Sequence, residues 1–185
     1  MNMPRTWRTR LLGTCVLFLL PAVTMFAQDS LKVGDLAPQF SLQSATKDSI
    51  DFKGITLAAA VKNSRVILAF FPAAWSGGCT KEMCTIRDNF AGLADLGVTV
   101  LGISGDYIFT QKEWAKNLGL QFALLSDHDH AVAKAYRTYN SKSGYDVRSI
   151  WVIGEKGKII YTDPAYNVQT PDAFNRLKEA LASSK

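Results

Sequence analysis

Two cysteines five residues apart, Cys79 and Cys84, are the side chains of this sequence best equipped for covalent chemistry. Cys79 ends the segment Phe70-Phe-Pro-Ala-Ala-Trp-Ser-Gly-Gly-Cys79, where an apolar run gives way to a helical pattern. At the first turn of a helix, unpaired backbone N–H groups and the helix dipole both favour an anion, so a cysteine there is held toward its nucleophilic thiolate form. Gly77 and Gly78 let the backbone approach a small substrate closely. Ser76, three residues before Cys79, carries a hydroxyl that both donates to and accepts from an oxygen ligand. Pro72 fixes the loop and removes one competing donor. The combination suits a thiolate aimed at a small oxygen-bearing substrate.

The elements that position this segment are legible from periodicity. Arg65 to Phe71 is a continuous apolar run with β-branched and aromatic members, which predicts a strand buried on both faces and ended by Pro72. A helix is expected from about Gly78 to Leu96, with Met83, Ile86, Phe90 and Leu93 on one apolar face. Val98–Ser104 reads as a second buried strand, and Phe122–Leu125 as a short third. Thr110–Leu118 reads as a helix with Thr110 as its cap and Glu113 at the third position, and Ala131–Tyr136 as another helix. Short strands are expected near Phe40–Leu42 and Ile50–Phe52, and a short helix over Ile55–Val61. Ser149–Ile153 and Lys158–Tyr161 read as strands joined by a Gly154–Gly157 turn, and Pro171–Ala182 as a closing helix. Alternating strands and helices that end in a hairpin and a helix predict an α/β, three-layer architecture with a central mixed sheet flanked by helices.

That sheet places Cys79 at the carboxyl edge of a buried strand, where open α/β sheets usually bind ligands. The 185 residues suffice for one domain and are too few for two ordinary ones. Hydrophobic residues at 48% and charged residues at 20% exclude a disordered or collagen-like chain.

The first 27 residues read as an address. Arg5, Arg8 and Arg10 precede a 17-residue apolar stretch, Leu11 to Ala27, and a polar exit at Gln28-Asp-Ser30. A basic start, a short apolar run and a polar exit form a secretory signal pattern; the competing reading is a membrane anchor, for which the run is short and interrupted by Gly13 and Pro21. We therefore expect a signal over 1–27, a linker over 28–37, one domain over 38–185, and a periplasmic or secreted location without a stable membrane span. Removing three arginines with the signal takes the net charge from +5 to +2, which is no electrostatic footprint for nucleic acid. Cys15 then belongs to the signal, leaving Cys79 and Cys84 in a compartment where dithiols tend to oxidise.

Pro72-x-x-x-Ser76-x-x-Cys79 resembles the Pro-x-x-x-Thr/Ser-x-x-Cys signature of the peroxiredoxins. Cys79-Thr-Lys-Glu-Met-Cys84-Thr-Ile-Arg-Asp88 is similar to the bacterioferritin-comigratory (Q-type) subgroup, and Gly-Ile-Ser104, Leu-Leu-Ser-Asp127 and Arg148-Ser-Ile-Trp-Val-Ile153 also resemble family segments, in family order from about Gly34 onward. Gly77 replaces the proline usual in the Q-type pattern, and the Trp-Ser-Gly-Gly loop is closer to the one-cysteine alkyl hydroperoxide reductase E group. The resemblance implies a thioredoxin-like fold and a thiol-based hydroperoxide reductase. It implies that Cys79 is the peroxidatic cysteine, that Ser76 bonds the peroxide and that Pro72 shields the sulfur. It gives Arg148 the task of stabilising the thiolate and polarising the O–O bond, Glu82 that of holding the arginine, and Cys84 that of resolving the sulfenic acid. A thioredoxin-like or small-thiol reductant is implied, with no cofactor and no metal, and with the chain a monomer or a dimer.

Plainer readings stand beside these. Cys84 also reads as a buried helix cysteine, Glu82 as a first-turn acid favoured by the dipole, and Arg148 as a surface arginine at a strand start. Arg87 is expected to pair with a neighbouring acid. Asp127-His-Asp-His130 has the composition of a metal site but reads better as a loop with helix-capping acids, since zinc usually takes three or four Cys or His ligands. Trp75, Trp114 and Trp151 are expected in the core or on the pocket wall. Two other functions compete: a thiol–disulfide oxidoreductase of the same fold, disfavoured by the absence of Cys-x-x-Cys, and a non-enzymatic redox-sensing module that uses Cys79 as a switch.

Overall fold

The computed structural model describes residues 31–183; the signal expected over 1–27 lies outside the described residues. In chain order the elements are β1 (Ser41–Ala45), β2 (Ile50–Thr56), α1 (Leu57–Ala60), β3 (Arg65–Phe70), α2 (Gly77–Asp88), α3 (Phe90–Asp95), β4 (Val98–Ser104) and α4 (Ile108–Leu118). There follow β5 (Ala123–Ser126), α5 (Ala131–Ala135), β6 (Tyr139–Asn140), β7 (Tyr145–Asp146), β8 (Ser149–Ile153), β9 (Ile159–Asp163) and α6 (Pro171–Ser183).

Seven strands form one sheet in the order β2-β1-β5-β4-β3-β8-β9. β3, β4 and β5 run parallel, and the outer pairings are antiparallel, so the sheet is mixed as expected. Why β3 reads as an unbroken apolar run is now clear. Ile67 and Ala69 belong to the core on one face, with Met83 and Ile86 of α2, Trp114 of α4 and Leu177 of α6. Val66, Leu68 and Phe70 belong to the core on the other face, with Leu57 of α1 and Ala133 of α5. A strand that must be apolar on both sides loses its period-2 pattern. Helix, sheet and helix make the three layers.

The register places the chemistry. Phe70, the last residue of β3, pairs with Ser149, the first of antiparallel β8. The loop leaving β3 and the residues entering β8 therefore meet at one edge of the sheet. Ser104 of β4 pairs with Ser126 of β5 at the same edge, so the Gly105–Asp106 and Asp127–His130 segments emerge beside them.

Several local expectations are corrected. The helix expected over 78–96 is two helices broken at Asn89, whose backbone leaves the helical region (φ −107°, ψ 8°) while its side-chain amide donates to the Thr85 carbonyl at 2.9 Å. An Asn that hydrogen-bonds a nearby carbonyl competes with the helix ladder. The apolar face survives the break, with Met83, Ile86 and Leu93 all buried. Ile55 and Thr56 belong to β2, paired with Leu42 and Ser41, and only Leu57–Ala60 is helical, capped by the Thr56 hydroxyl. α4 starts two residues earlier than expected, after Tyr107, so Thr110 does not cap it. The β6–β7 hairpin carried no strand-length apolar signal and was missed. Residues 34–37, read as linker, are joined to the sheet: the Gly34 amide donates to the Ile159 carbonyl, and Leu36 bridges Lys158.

Candidate active site

Cys79 is the third residue of α2 and fully buried, at 0% exposure. Ser76 is the N-cap: its backbone is extended, and its hydroxyl oxygen accepts the Cys79 amide at 3.4 Å. Capping by Ser satisfies one of the orphan amides of the first turn. The hydroxyl proton stays available to donate.

Arg148 closes the site. Its Nη2 donates to the Cys79 sulfur at 3.3 Å, and its Nη1 donates to Oε2 of Glu82. Glu82 sits on α2, one turn after Cys79, and is completely buried. Burial pushes its pKa up to about 8, against the pull of the Arg148 guanidinium, and its Oε1 has no hydrogen-bond partner among the described residues. Glu82 fixes one arm of the guanidinium fork, and the other arm reaches the sulfur. Burial works against the charge on Arg148, but Glu82 and Cys79 together hold its pKa above the ordinary value. Gly78 is where the guanidinium passes: a Cβ there would lie 3.0 Å from Nη2.

The loop before Ser76 is held from β4. The Ala74 amide donates to Oδ2 of Asp106 at 2.8 Å, and the Ser104 hydroxyl donates to the same oxygen at 2.7 Å. Buried Gln111 of α4 donates to Ser104 in turn. Trp75, next to Ala74, has φ +65°, the left-handed region that a bulky side chain rarely occupies. Its indole is 54% exposed, unlike Trp114 and Trp151, which are in the core as expected. Tyr166, 5% exposed, has its phenol pushed upward first by burial and then by the Glu82 charge.

The structure thus brings together Cys79, Ser76, Glu82 and Arg148. Pro72 is half-buried at the start of the same loop. Cys84 is half-buried two residues beyond Glu82, and both cysteines are free. Sequence reasoning missed Asp106, whose only local signal is its place just after a buried strand, and Tyr166, which had none. Asp127-His-Asp-His130 behaves as a capping loop. Asp127 accepts the amides of Val132 (3.1 Å) and Ala133 (2.7 Å), and Asp129 accepts that of Ala131. Arg87 pairs with Asp88 at 2.8 Å, as expected.

Chemically, the arrangement is a cysteine sulfur at a helix N-terminus, touched by a permanent cation that the buried Glu82 side chain orients. An anionic sulfur and a developing negative charge on a neighbouring oxygen would both be stabilised there.

Comparison with known proteins gives a consistent picture. Residues 33–162 match the AhpC/TSA family. A Mycobacterium tuberculosis protein assigned to the peroxiredoxins is 35% identical over 158 residues, covering 82% of this chain and 96% of its own length. Peroxiredoxin Bcp of Escherichia coli K12 is 39% identical over 116 residues, covering 61% of this chain and 69% of its own. The crystal structure of peroxidoxin BcpB from Mycobacterium tuberculosis superposes with a TM-score of 0.73 at 24% identity, over 84% of this chain and 99% of that one, and so attests the fold.

Proposed function

The chain belongs to the AhpC/TSA family and is a thiol-dependent peroxidase with the thioredoxin-like fold of the peroxiredoxins; we propose that Cys79 carries the reaction and Cys84 resolves it. The observation that carries the role of Cys79 is the Arg148 bond to its sulfur at 3.3 Å, with the guanidinium fixed by buried Glu82.

The Cys79 thiolate attacks one peroxide oxygen. An S–O bond forms, the O–O bond breaks, and hydroxide or alkoxide leaves with the electron pair and takes up a proton. Arg148 stabilises the thiolate before the step and the leaving oxygen during it, while the Ser76 hydroxyl donates to the peroxide. Cys79 becomes a sulfenic acid, which condenses with a thiol and releases water.

Cys84 is that thiol in our reading, and α2 must open for it to act. Positions i and i+5 of a helix lie about 7.5 Å apart along the axis and about 140° apart around it. A disulfide needs Cα atoms within about 7 Å. The first turn, held by the Ser76 cap, unwinds after oxidation and brings the sulfurs together. A thioredoxin-like or small-thiol reductant then supplies two electrons and two protons to restore both thiols. We further propose that residues 1–27 direct export, so that this cycle runs outside the cytosol.

The test is the intact mass of the reduced, purified protein within a second of adding one equivalent of hydrogen peroxide. Loss of two hydrogens supports resolution within one chain. Gain of one oxygen assigns a one-cysteine cycle that needs an external thiol. An unchanged mass with both hydrogen peroxide and an organic hydroperoxide would overturn the role of Cys79.

A further inference from the structure

We propose that His130 and Asp146 form a latch that positions Arg148 over the Cys79 sulfur, making both of them positioning residues for the peroxidase reaction. The inference rests on the role given to Arg148 above. It concerns a side-chain cluster that the catalytic site does not contain.

His130 Nδ1 lies 2.7 Å from Oδ1 of Asp146. Asp146 is the last residue of β7, two positions before Arg148, and is 2% exposed. Its Oδ2 has no partner among the described residues, so the imidazole is what holds this carboxylate in place. His130 is itself fixed on three sides. Its backbone is left-handed (φ +56°), an uncommon conformation for a non-glycine residue that the surrounding structure must maintain. Its ring packs against Tyr139 with centroids 4.7 Å apart, and Tyr139 is the β6 partner of Asp146. The ring also fills the space where Gly105 has no side chain: a Cβ there would lie 2.2 Å from Cε1. As N-cap of α5, His130 makes no side-chain cap bond, because Asp127 supplies the caps.

The latch therefore ties three chain segments at the active-site edge of the sheet: the exit of β4 at Gly105, the exit of β5 at His130 and the entry to β8 at Asp146. Between Asp146 and Ser149 the Val147 amide also donates to the Thr138 carbonyl. Arg148 follows, and its long side chain must hold one arm on Glu82 and the other on sulfur. Losing the contact leaves the approach to Arg148 held by backbone bonds alone, without the side-chain anchor at Asp146 that sets the reach of that fork. A misplacement of about 1 Å at a catalytic group can cost on the order of 100-fold in rate.

The experiment is a variant series on the full chain with two readouts. One is the second-order rate with hydrogen peroxide; the other is the rate at which iodoacetamide alkylates Cys79, followed on its peptide. His130→Asn suits the left-handed backbone but is too short to keep the contact. It is expected to slow the peroxide reaction by about 10- to 100-fold and to slow alkylation. Asp146→Asn keeps an acceptor for the imidazole and is expected to retain most of the rate, while Asp146→Leu is not. Added to Arg148→Ala, His130→Asn is expected to cost nothing more, because the latch acts through the arginine. If His130→Asn loses its fold, Gly105→Ala, which displaces the ring, decides in its place.

Wild-type rates in His130→Asn, a full additional loss on Arg148→Ala, or equal damage from Asp146→Asn and Asp146→Leu would each overturn the latch. An Arg148→Ala variant with the wild-type peroxide rate would overturn the reading of Arg148 and the latch together. A slow Arg148→Ala beside a fast His130→Asn would overturn the latch alone.

Discussion

Arg148 donates one guanidinium nitrogen to the sulfur of Cys79 at 3.3 Å, across 69 positions of sequence. The contact exists because Phe70, which ends β3, pairs with Ser149, which begins β8. The cation is thus delivered by the neighbouring strand to the mouth of the loop that leads into Cys79. Its other arm is anchored on Glu82, one helical turn from Cys79, so sulfur, cation and carboxylate form one short chain.

Arg148→Ala should slow peroxide reduction by about 100- to 1,000-fold, the usual cost of removing a preorganised donor from a developing oxyanion. Arg148→Lys keeps the charge but loses the fork and should fall between the two. Stopped-flow rates with hydrogen peroxide check both, and a Lys variant as fast as wild type would show that charge alone suffices.

Glu82 should leave a signature in stability against pH. Its pKa is raised by burial from 4.5 to about 8, so across that window the folded chain binds more protons than the unfolded one. Its contribution to stability therefore falls as pH rises from about 4.5 to about 8, with a slope of at most about 1.4 kcal/mol per pH unit. Glu82→Gln removes that slope. Urea denaturation of both proteins at pH 5, 6, 7 and 8 should show the variant gaining on the wild type as pH rises; parallel curves would contradict it.

Cys84→Ser should leave the first oxidation fast but strand Cys79 as a sulfenic acid. Excess peroxide should then add a second and third oxygen, from which the proposed disulfide would protect the wild type. In the wild type, amides of Gly77 to Glu82 should exchange faster with deuterium after oxidation than before, because the first turn has opened. Unchanged exchange in the oxidised protein would contradict unwinding.

Ser76 caps α2, and the proposed peroxide contact can be separated from that role. Ser76→Ala should cost roughly 1 kcal/mol of stability through the lost cap and should also slow the peroxide reaction. Ser76→Asp keeps an acceptor for the Cys79 amide, so it should melt near the wild type, yet its carboxylate opposes the thiolate and should slow the reaction further. Melting temperature and peroxide rate measured together separate capping from peroxide binding; an unslowed Ser76→Asp would leave capping as the serine's one role.

The sequence by itself determined the parts that depend on local period and composition. The apolar run of β3, the loop from Pro72 to Ser76, the helix carrying Cys79 and the Gly154–Gly157 turn were all legible, because each is dictated by residues within a few positions of one another. The α/β layering followed from their alternation, and the motif resemblance pointed to the chemistry. Tertiary structure alone decided which distant groups meet. The 66 positions between Glu82 and Arg148, and the 32 between Ala74 and Asp106, are closed by strand order and register, which no local pattern encodes. The break at Asn89 was equally hidden, since the apolar face continues through it and only a side-chain bond to Thr85 marks the end of the helix. His130 shows the difference most plainly. In sequence it belongs to a polar loop of acids and histidines; in the fold it is half of a pair that ends two residues from Arg148, because the sheet brings the exits of β4 and β5 beside the entrance of β8.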